Sequence, residues 1–377
     1  MIQGTQSMFY RCMPARAASP RVTGRRPRGH GFATIDIHCH VHTPAAAAFV
    51  GEQAGAVAPS LTWQNPASRE VNRLQDERVR EQLTSVERRL HDMDRLGVDI
   101  QAFSPAPPQY YYGTPPEVGR ETARLINDNI AGIVAAHPDR FVGLGTVPLQ
   151  EPELAVVELE RMVKRLGLRG VEISTNVAGA ELSEERFRKF FAKAEELDIL
   201  IFMHPVGFTE ARRLTDHYFI NIIGHPLDST LAIHHLIFGG VLDAYPKLKI
   251  CVAHGGGYAP AYAGRMDHAH AARPDCRRII KKKPTSYLRK LYFDTVVFTH
   301  HQLDYLVEQY GRNHVLLGSD YPYDMGPADP VGFVTGDARL KRDTKAAVLG
   351  GNAARLLKIR LPKAKPAKVA KPKRRAR

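Results

Sequence analysis

The chain has 377 residues, 44% of them hydrophobic, with 53 Lys/Arg against 39 Asp/Glu and a net charge of +14. That is enough apolar sequence to bury a sizeable core, and no apolar run approaches the roughly 18 residues that a membrane-spanning helix needs. Nor does the charge describe a nucleic-acid binder: residues 1–35 carry six Arg and no acid, residues 361–377 carry eight Lys/Arg and no acid, and the remainder balances at 39 against 39.

In chain order, residues 1–33 read as a basic, disordered extension through Arg11, Arg16, Arg21, Arg25, Arg26 and Arg28. The composition fits an organellar transit peptide or an appended upstream segment, without the apolar run of a secretory signal. The first strand then runs over Ile35–His40. Side chains alternate along a strand, so His38 and His40 share a face and Cys39 points away. Such a pair suits a first-row metal, and it equally suits a polar strand end with two incidental histidines. From Thr43 to about Leu83 no periodicity stands out; this stretch holds Trp63 and is expected to be an irregular insertion, a lid or binding loop.

From Ser85 a strand-and-helix alternation sets in. The helix Ser85–Gly97 precedes the strand Val98–Ser104, and a Pro/Tyr-rich loop leads to a helix near Glu117–Ala136 and the strand Phe141–Val147. Helices near 152–166, 183–197, 229–244, 260–272 and 301–310 precede the strands 170–174, 199–204, 248–254, 291–297 and 314–320. A last helix spans about 344–357. Most strands are short continuous apolar runs of the buried parallel kind. Eight such units predict a (β/α)8 TIM barrel over residues 34–360, with the active site at the C-terminal ends of the strands. An open doubly wound sheet lacks its Gly-rich first turn here. Residues 361–377 read as a low-complexity basic tail, with nucleic acid expected only through nonspecific contacts. The cysteines Cys12, Cys39, Cys251 and Cys276 form no Cys-x-x-Cys pair, which predicts reduced thiols in a cytoplasmic compartment.

At the strand ends stand His38 and His40 (first strand), His204 (fifth), His254 (sixth) and Asp320 (eighth), and a barrel brings those ends to one mouth. Singly, His204-Pro205 is a turn, His254 a satisfied core histidine and Asp320 a helix cap. Five at matching termini are hard to explain as separate accidents. Asp294, ending the seventh strand, fits either a group behind the ligands or an ordinary turn. Gly255–Gly257 either lets substrate approach the backbone or makes a tight turn. The other histidines, His137, His225, His234, His235, His268, His270, His300 and His301, read as structural or solvent-facing.

These residues carry a resemblance. His38-x-His40, His204-Pro205, Ala253-His254-Gly-Gly-Gly257 and Gly318-Ser-Asp320-Tyr-Pro322 are similar to the amidohydrolase superfamily. Within it they most resemble the branch of 2-amino-3-carboxymuconate-6-semialdehyde decarboxylase, over about Ile35 to Phe333. The resemblance implies one zinc ion on His38, His40, His204 and Asp320 with a water completing the sphere; Mn, Co or Fe would fit the same ligands. It implies His254 as the acid/base beside that water, catalysis by His254 and Asp320, no organic cofactor and a small-molecule carboxylic acid as substrate. It further implies a homodimer in which an arginine, Arg265 or Arg273, reaches the neighbouring site, with Arg78 as the first-loop arginine. Three neutral imidazoles and one carboxylate leave the metal formally positive, enough to acidify a bound water. The expected activity is therefore a zinc-dependent decarboxylase of an unsaturated or aromatic carboxylic acid. The alternatives are a hydratase or hydrolase with the same metal, or a non-catalytic barrel tethered by its basic ends. Two departures from the branch, Val206-Gly207 after the fifth-strand histidine and the Tyr110-Tyr-Tyr112 cluster, leave the substrate open.

Overall fold

The structure, a computed structural model, describes residues 31–51 and 64–360. The head up to residue 30, Cys12, Trp63 and the tail from residue 361 lie outside the described residues. Eight parallel strands form the barrel: β1 (Ile35–Asp36), β2 (Ile100–Pro105), β3 (Phe141–Gly145), β4 (Gly170–Ile173), β5 (Leu200–Met203), β6 (Lys249–Val252), β7 (Tyr292–Asp294) and β8 (Val315–Leu316). A second short piece, His40–Val41, pairs with the end of β2. The ring closes through the Ile37 N–H to Leu317 O (3.0 Å) and the His40 N–H to Tyr321 O (2.8 Å). Asp36 fastens this seam: its carboxylate accepts from the backbone N–H of His38 and Ser319 (both 3.1 Å) and from the Ser319 hydroxyl (2.6 Å). The (β/α)8 architecture read from the sequence is the one observed.

Strand alternation decides what faces the barrel axis. Ile35, Ala102, Leu144, Leu200, Phe202, Cys251 and Leu316 form one interior cluster, to which the last helix, Asn352–Leu356, adds Ala353 and Leu356. The residues between them, such as Ile201, Met203, Ile250, Val252 and Val315, pack outward against the helices. Continuing each inward series gives His204 after Phe202 on β5, Glu172 on β4, Asp294 on β7 and Asp320 beyond β8. Ile37 belongs to the interior cluster as well, so strict alternation would turn His38 outward. The pairing breaks between Asp36 and His40, which resets the parity and lets both histidines face in.

Residues 52–63 of the segment after β1 lie outside the described residues. On either side, where the sequence shows no periodicity, stand the helices Pro44–Gly51 and Pro66–Thr84. The second has the signals of a start, with Pro66 in the first turn and the Asn65 side chain accepting from the Ser68 N–H at 2.8 Å. It buries only Gln75, Val79 and Leu83, a stripe one residue wide, while Glu70, Arg73 and Glu77 pair on the outside. So narrow a stripe leaves little apolar period to read. The predicted final helix is interrupted by a π-turn over Ala347–Gly351, and a further helix, Pro330–Gly336, was not expected. Among the described residues, Cys39, Cys251 and Cys276 are free thiols, and no helix is long and apolar enough to cross a membrane.

Candidate metal centre and its cavity

The structure brings all five predicted residues together. His38, His204, His254 and Asp320 each offer a ligand atom within 4.8 Å of the others. His38 Nε2 and His40 Nε2 lie 3.3 and 3.4 Å from Asp320 Oδ1. Two ligands about 2.0–2.1 Å from one tetrahedral ion stand about 3.4 Å apart, so these spacings suit a shared cation. His254 is set slightly back, its Nε2 3.9 Å from Asp320 Oδ2. Both His254 (φ 55°) and Asp320 (φ 53°) adopt left-handed backbone, a strain of about 1–3 kcal/mol each that the surrounding fold must hold.

The partners of the outer ring nitrogens set the tautomers. His38 Nδ1 bonds Asp294 Oδ2 at 2.6 Å, and His40 Nδ1 bonds the Pro105 carbonyl at 3.2 Å. Each Nδ1 therefore directs its proton away from the centre, which leaves Nε2 as the nitrogen that would face a cation. Asp294 accepts three backbone N–H groups as well, from His254 (3.0 Å), Gly255 (2.9 Å) and Val296 (3.1 Å). One carboxylate thus aims a ligand and fixes the turn carrying His254. Of the two sequence readings of Asp294, the one behind the ligands is observed.

Whether the residues suit a cation is answered by what they lack. His38 Nε2, His40 Nε2 and both ring nitrogens of His204 are buried without a hydrogen-bond partner. Buried polar atoms are nearly always paired, and a cation would pair these. Burial pushes the His40 and His204 imidazoles down, for His204 with repulsion from the neighbouring rings, so both are neutral and ready to bind. Burial also opposes charge on His38, but the carboxylates of Asp320 and Asp294 outweigh it and lift that imidazole to about 10. For Asp320, burial is overcome by the charge of His38 and by the close approach of the His254, His38 and His40 rings, which hold its carboxyl well below the usual range. A three-imidazole, one-carboxylate donor set suits a divalent first-row ion.

Two neighbours of the centre escaped the sequence reading. Glu172, wholly buried on β4, has its carboxyl 3.8 Å from His40 Nδ1; burial raises it to about 8, with the charge of His38 pulling the other way. A single acid inside an apolar strand was the available signal. His225, expected to be structural, lies with its ring centroid 6.1 Å from that of His254 and the planes 30° apart. Burial, with repulsion from His254, brings it down to about 3. The repeat of the His-Pro dipeptide at His204-Pro205 and His225-Pro226 was the only hint. The Tyr110–Tyr112 cluster is packing: the two outer rings stack at 5.5 Å, and Tyr110 donates to the His204 carbonyl at 3.3 Å.

The three arginines do not join the site within this chain. Arg265 and Arg78 are exposed, with the Arg78 charge acting on Asp324, and Arg273 pairs with Asp275 at 2.9 Å. The glycine triplet makes a tight turn, and Gly255 and Gly257 also line the cavity beside His254. Gly255, Gly256 and Gly257 all have positive φ (61°, 79° and 63°), and a Cβ on each would meet Val297, Phe293 and the Pro226 carbonyl respectively. Beside His254 a cavity of about 370 Å³ opens, bounded by His225, Gly257, Tyr258, Val297 and Leu306 among others.

Residues 35–359 match the amidohydrolase family. The chain belongs to the amidohydrolase superfamily. It is 36% identical over 270 residues to the 2-amino-3-carboxymuconate-6-semialdehyde decarboxylase of Dictyostelium discoideum, covering 71% of this chain and 75% of that protein. Its fold is similar to the crystal structure of 5-carboxyvanillate decarboxylase from Sphingomonas paucimobilis, with a TM-score of 0.76 and 28% identity, covering 87% of this chain and all of that one. The corresponding enzyme of Novosphingobium aromaticivorans, complexed with manganese and 4-hydroxy-3-methoxy-5-nitrobenzoic acid, gives a TM-score of 0.77 at 25% identity, covering 88% and 97%. This amidohydrolase is thus a metal-dependent decarboxylase of the branch indicated by its motifs.

Proposed function

We propose that this amidohydrolase releases CO2 from a small aromatic carboxylic acid, without an organic cofactor, at a single divalent ion held by His38, His40, His204 and Asp320. The observation that carries the reading is the set of buried, unpartnered imidazole nitrogens grouped around Asp320, with His254 standing both at that group and in the cavity wall. When bound, the ion supplies Lewis acidity to a substrate oxygen. The chain supplies the rest. The cavity wall orients the ring and excludes water from its face. His254 Nε2 gives a proton to the carbon that carries the carboxylate. The C–C bond then breaks, CO2 leaves, and the bonding pair restores the ring. Asp294, through the His254 and Gly255 backbone N–H groups, holds this donor in place.

Zinc is the metal we propose, the bound manganese in the Novosphingobium relative making manganese the first competitor. We further propose a homodimer, with Arg265 of the partner subunit holding the reacting carboxylate at the mouth. An exposed arginine on the segment that follows the cavity, flanked by the exposed Tyr258 and Tyr262, supports that arrangement; Arg273 and Arg78 have acidic neighbours of their own. The test is CO2 release by metal-loaded protein from hydroxybenzoates and carboxymuconate semialdehydes, with His254→Ala alongside. His254→Ala should keep one metal per chain and lose at least about a hundredfold in turnover. Unchanged turnover would remove His254 from the chemistry. No CO2 from any substrate, with metal bound, would move the reading to hydration or hydrolysis.

A further inference from the structure

The end of the barrel opposite the metal centre has a charge of its own. Parallel strands all begin at this base, and the loops that lead into β2–β8 are residues 97–99, 137–140, 165–169, 197–199, 245–248, 273–291 and 311–314. The described chain also starts and ends here. Thr34 Oγ1 donates to the Gly97 carbonyl at 2.8 Å, and Lys358 Nζ pairs at 2.9 Å with Asp198 at the foot of β5. Together with residues 357–360, these loops hold fifteen Lys/Arg and four Asp. Because the chain between its basic ends balances at 39 against 39, the rest of the barrel carries a matching acid excess, and the charge is polarised along the barrel axis. From this same base the sequence continues into residues 361–377, with eight Lys/Arg and no acid.

The charge is densest in the loop that returns the chain from the helix Ala263–Ala272 to β7. Residues 277–290 hold seven Lys/Arg and no acid, and Arg278, Lys281, Lys282, Lys283 and Arg289 are exposed. Among the described residues, the one acid in ion-pair contact with them is Asp243, 3.9 Å from Lys282 Nζ. Ile279 stands in their midst, 59% exposed. Its Cγ2 rests over Gly240, where a Cβ would come within 2.6 Å of it, while the rest of the side chain faces out. The segment's single aromatic residue, Tyr287, is wholly buried, so it offers nucleic-acid bases no ring to stack on. Clustered cations around a protruding aliphatic side chain suit a lipid headgroup layer, where the charges meet anionic lipids and the apolar group enters the interface. We propose that the base of this barrel, centred on residues 277–290, docks on an anionic lipid surface with Ile279 inserted between the headgroups. The metal centre then faces away from the lipid, open to substrate in water. The docked face is compatible with a dimer: Arg265 lies at the other, mouth-side end of the helix Ala263–Ala272, and a face of like charge repels its own copy.

The test is co-sedimentation of the full-length, metal-loaded protein with phosphatidylcholine vesicles, with and without about 30% phosphatidylserine, at low and high salt. Wild type should bind the mixed vesicles at least about tenfold tighter than pure phosphatidylcholine, and salt should weaken that binding. Lys281→Glu with Lys283→Glu should cost at least about tenfold. Arg212→Glu with Arg213→Glu makes the same charge change on exposed arginines beyond β5, at the mouth end, and should stay within about twofold of wild type. Ile279→Ser should weaken vesicle binding at least about threefold and leave binding to a short DNA duplex unchanged. Metal content and the urea midpoint of each variant show that it has folded. No binding of wild type to the mixed vesicles, or none lost in the lysine variant, overturns the proposal whatever the tail contributes. Equal losses in the lysine and arginine variants would assign the effect to net charge and overturn the base as the docking face. Ile279→Ser without effect on vesicles, or duplex DNA bound as tightly as the mixed vesicles, overturns the lipid assignment.

Discussion

Replacing Asp294 by Asn tests whether one buried carboxylate organises both the metal centre and the proton donor. Asp294 is wholly buried, and all four of its contacts are donors: His38 Nδ1 and the His254 N–H on Oδ2, the Gly255 and Val296 N–H groups on Oδ1. The carboxylate is held below its usual range although burial opposes charge there, because His38 and these backbone groups stabilise it. An asparagine keeps the shape and offers one acceptor oxygen in place of two. Whichever way the amide turns, its NH2 faces two donors. With NH2 towards His38, the imidazole must accept at Nδ1 and carry its proton on Nε2, where it blocks metal binding. With NH2 towards Gly255 and Val296, the turn bearing His254 loses its anchor. Each orphaned buried donor costs about 1–3 kcal/mol, so the first orientation, which orphans the His254 N–H alone, destabilises the fold by about 1–3 kcal/mol and the second by about 2–6 kcal/mol. The first orientation also lowers metal affinity by about ten- to a hundredfold, as expected when the partner of a metal-bound histidine is removed. Chelator competition for zinc or manganese reads the affinity, and urea unfolding of metal-free protein reads the stability. If Asp294→Asn changes neither, the carboxylate is not the shared support described above.

Two further substitutions probe the surroundings. Gly257→Ala places a methyl group 2.2 Å from the Pro226 carbonyl at a φ of +63°, so either the turn or the helix carrying His225 must move. A loss of at least about 2 kcal/mol is expected in urea unfolding, with hydroxybenzoate affinity falling alongside; wild-type stability would show that the turn relaxes freely. Asp228, buried and accepting from Thr175 and from Asn176 at 3.0 Å, is pushed by burial from 3.8 up to about 6. A carboxyl whose folded pKa is raised favours folding below its unfolded value and loses that contribution as pH climbs through about 6. Asp228→Asn should therefore be the more stable protein at pH 7.5, by up to roughly 3 kcal/mol, with the advantage gone below about pH 4. A constant difference between wild type and variant across that range would refute the assignment.

What could be read from the chain divides along physical lines. His38, His40, His204, His254 and Asp320 were legible because each ends an apolar run, and parallel strands in a barrel carry such ends to one place. Even there the reason was incomplete. The break after Asp36 turns His38 inward, and the left-handed backbone at His254 and Asp320 aims those side chains. None of that is written in alternation. Glu172 was hidden because its neighbours across the barrel are set by register, and His225 because the path of the π-turn Ile220–Gly224 and the helix after it brings it to His254. The helix Pro66–Thr84 was missed because so little of it is buried. Arg265, Arg273 and Arg78 came from resemblance alone, and none of them joins the site within this chain.

Charge bears on which ion the centre would take. In the metal-free protein the barrel mouth holds the carboxylates of Asp294 and Asp320 beside the His38 imidazole, with Asp36 at the seam behind them. A divalent ion on the ring nitrogens would offset the Asp294 and Asp320 charges. A monovalent ion would leave the site negative, repelling the substrate it should hold.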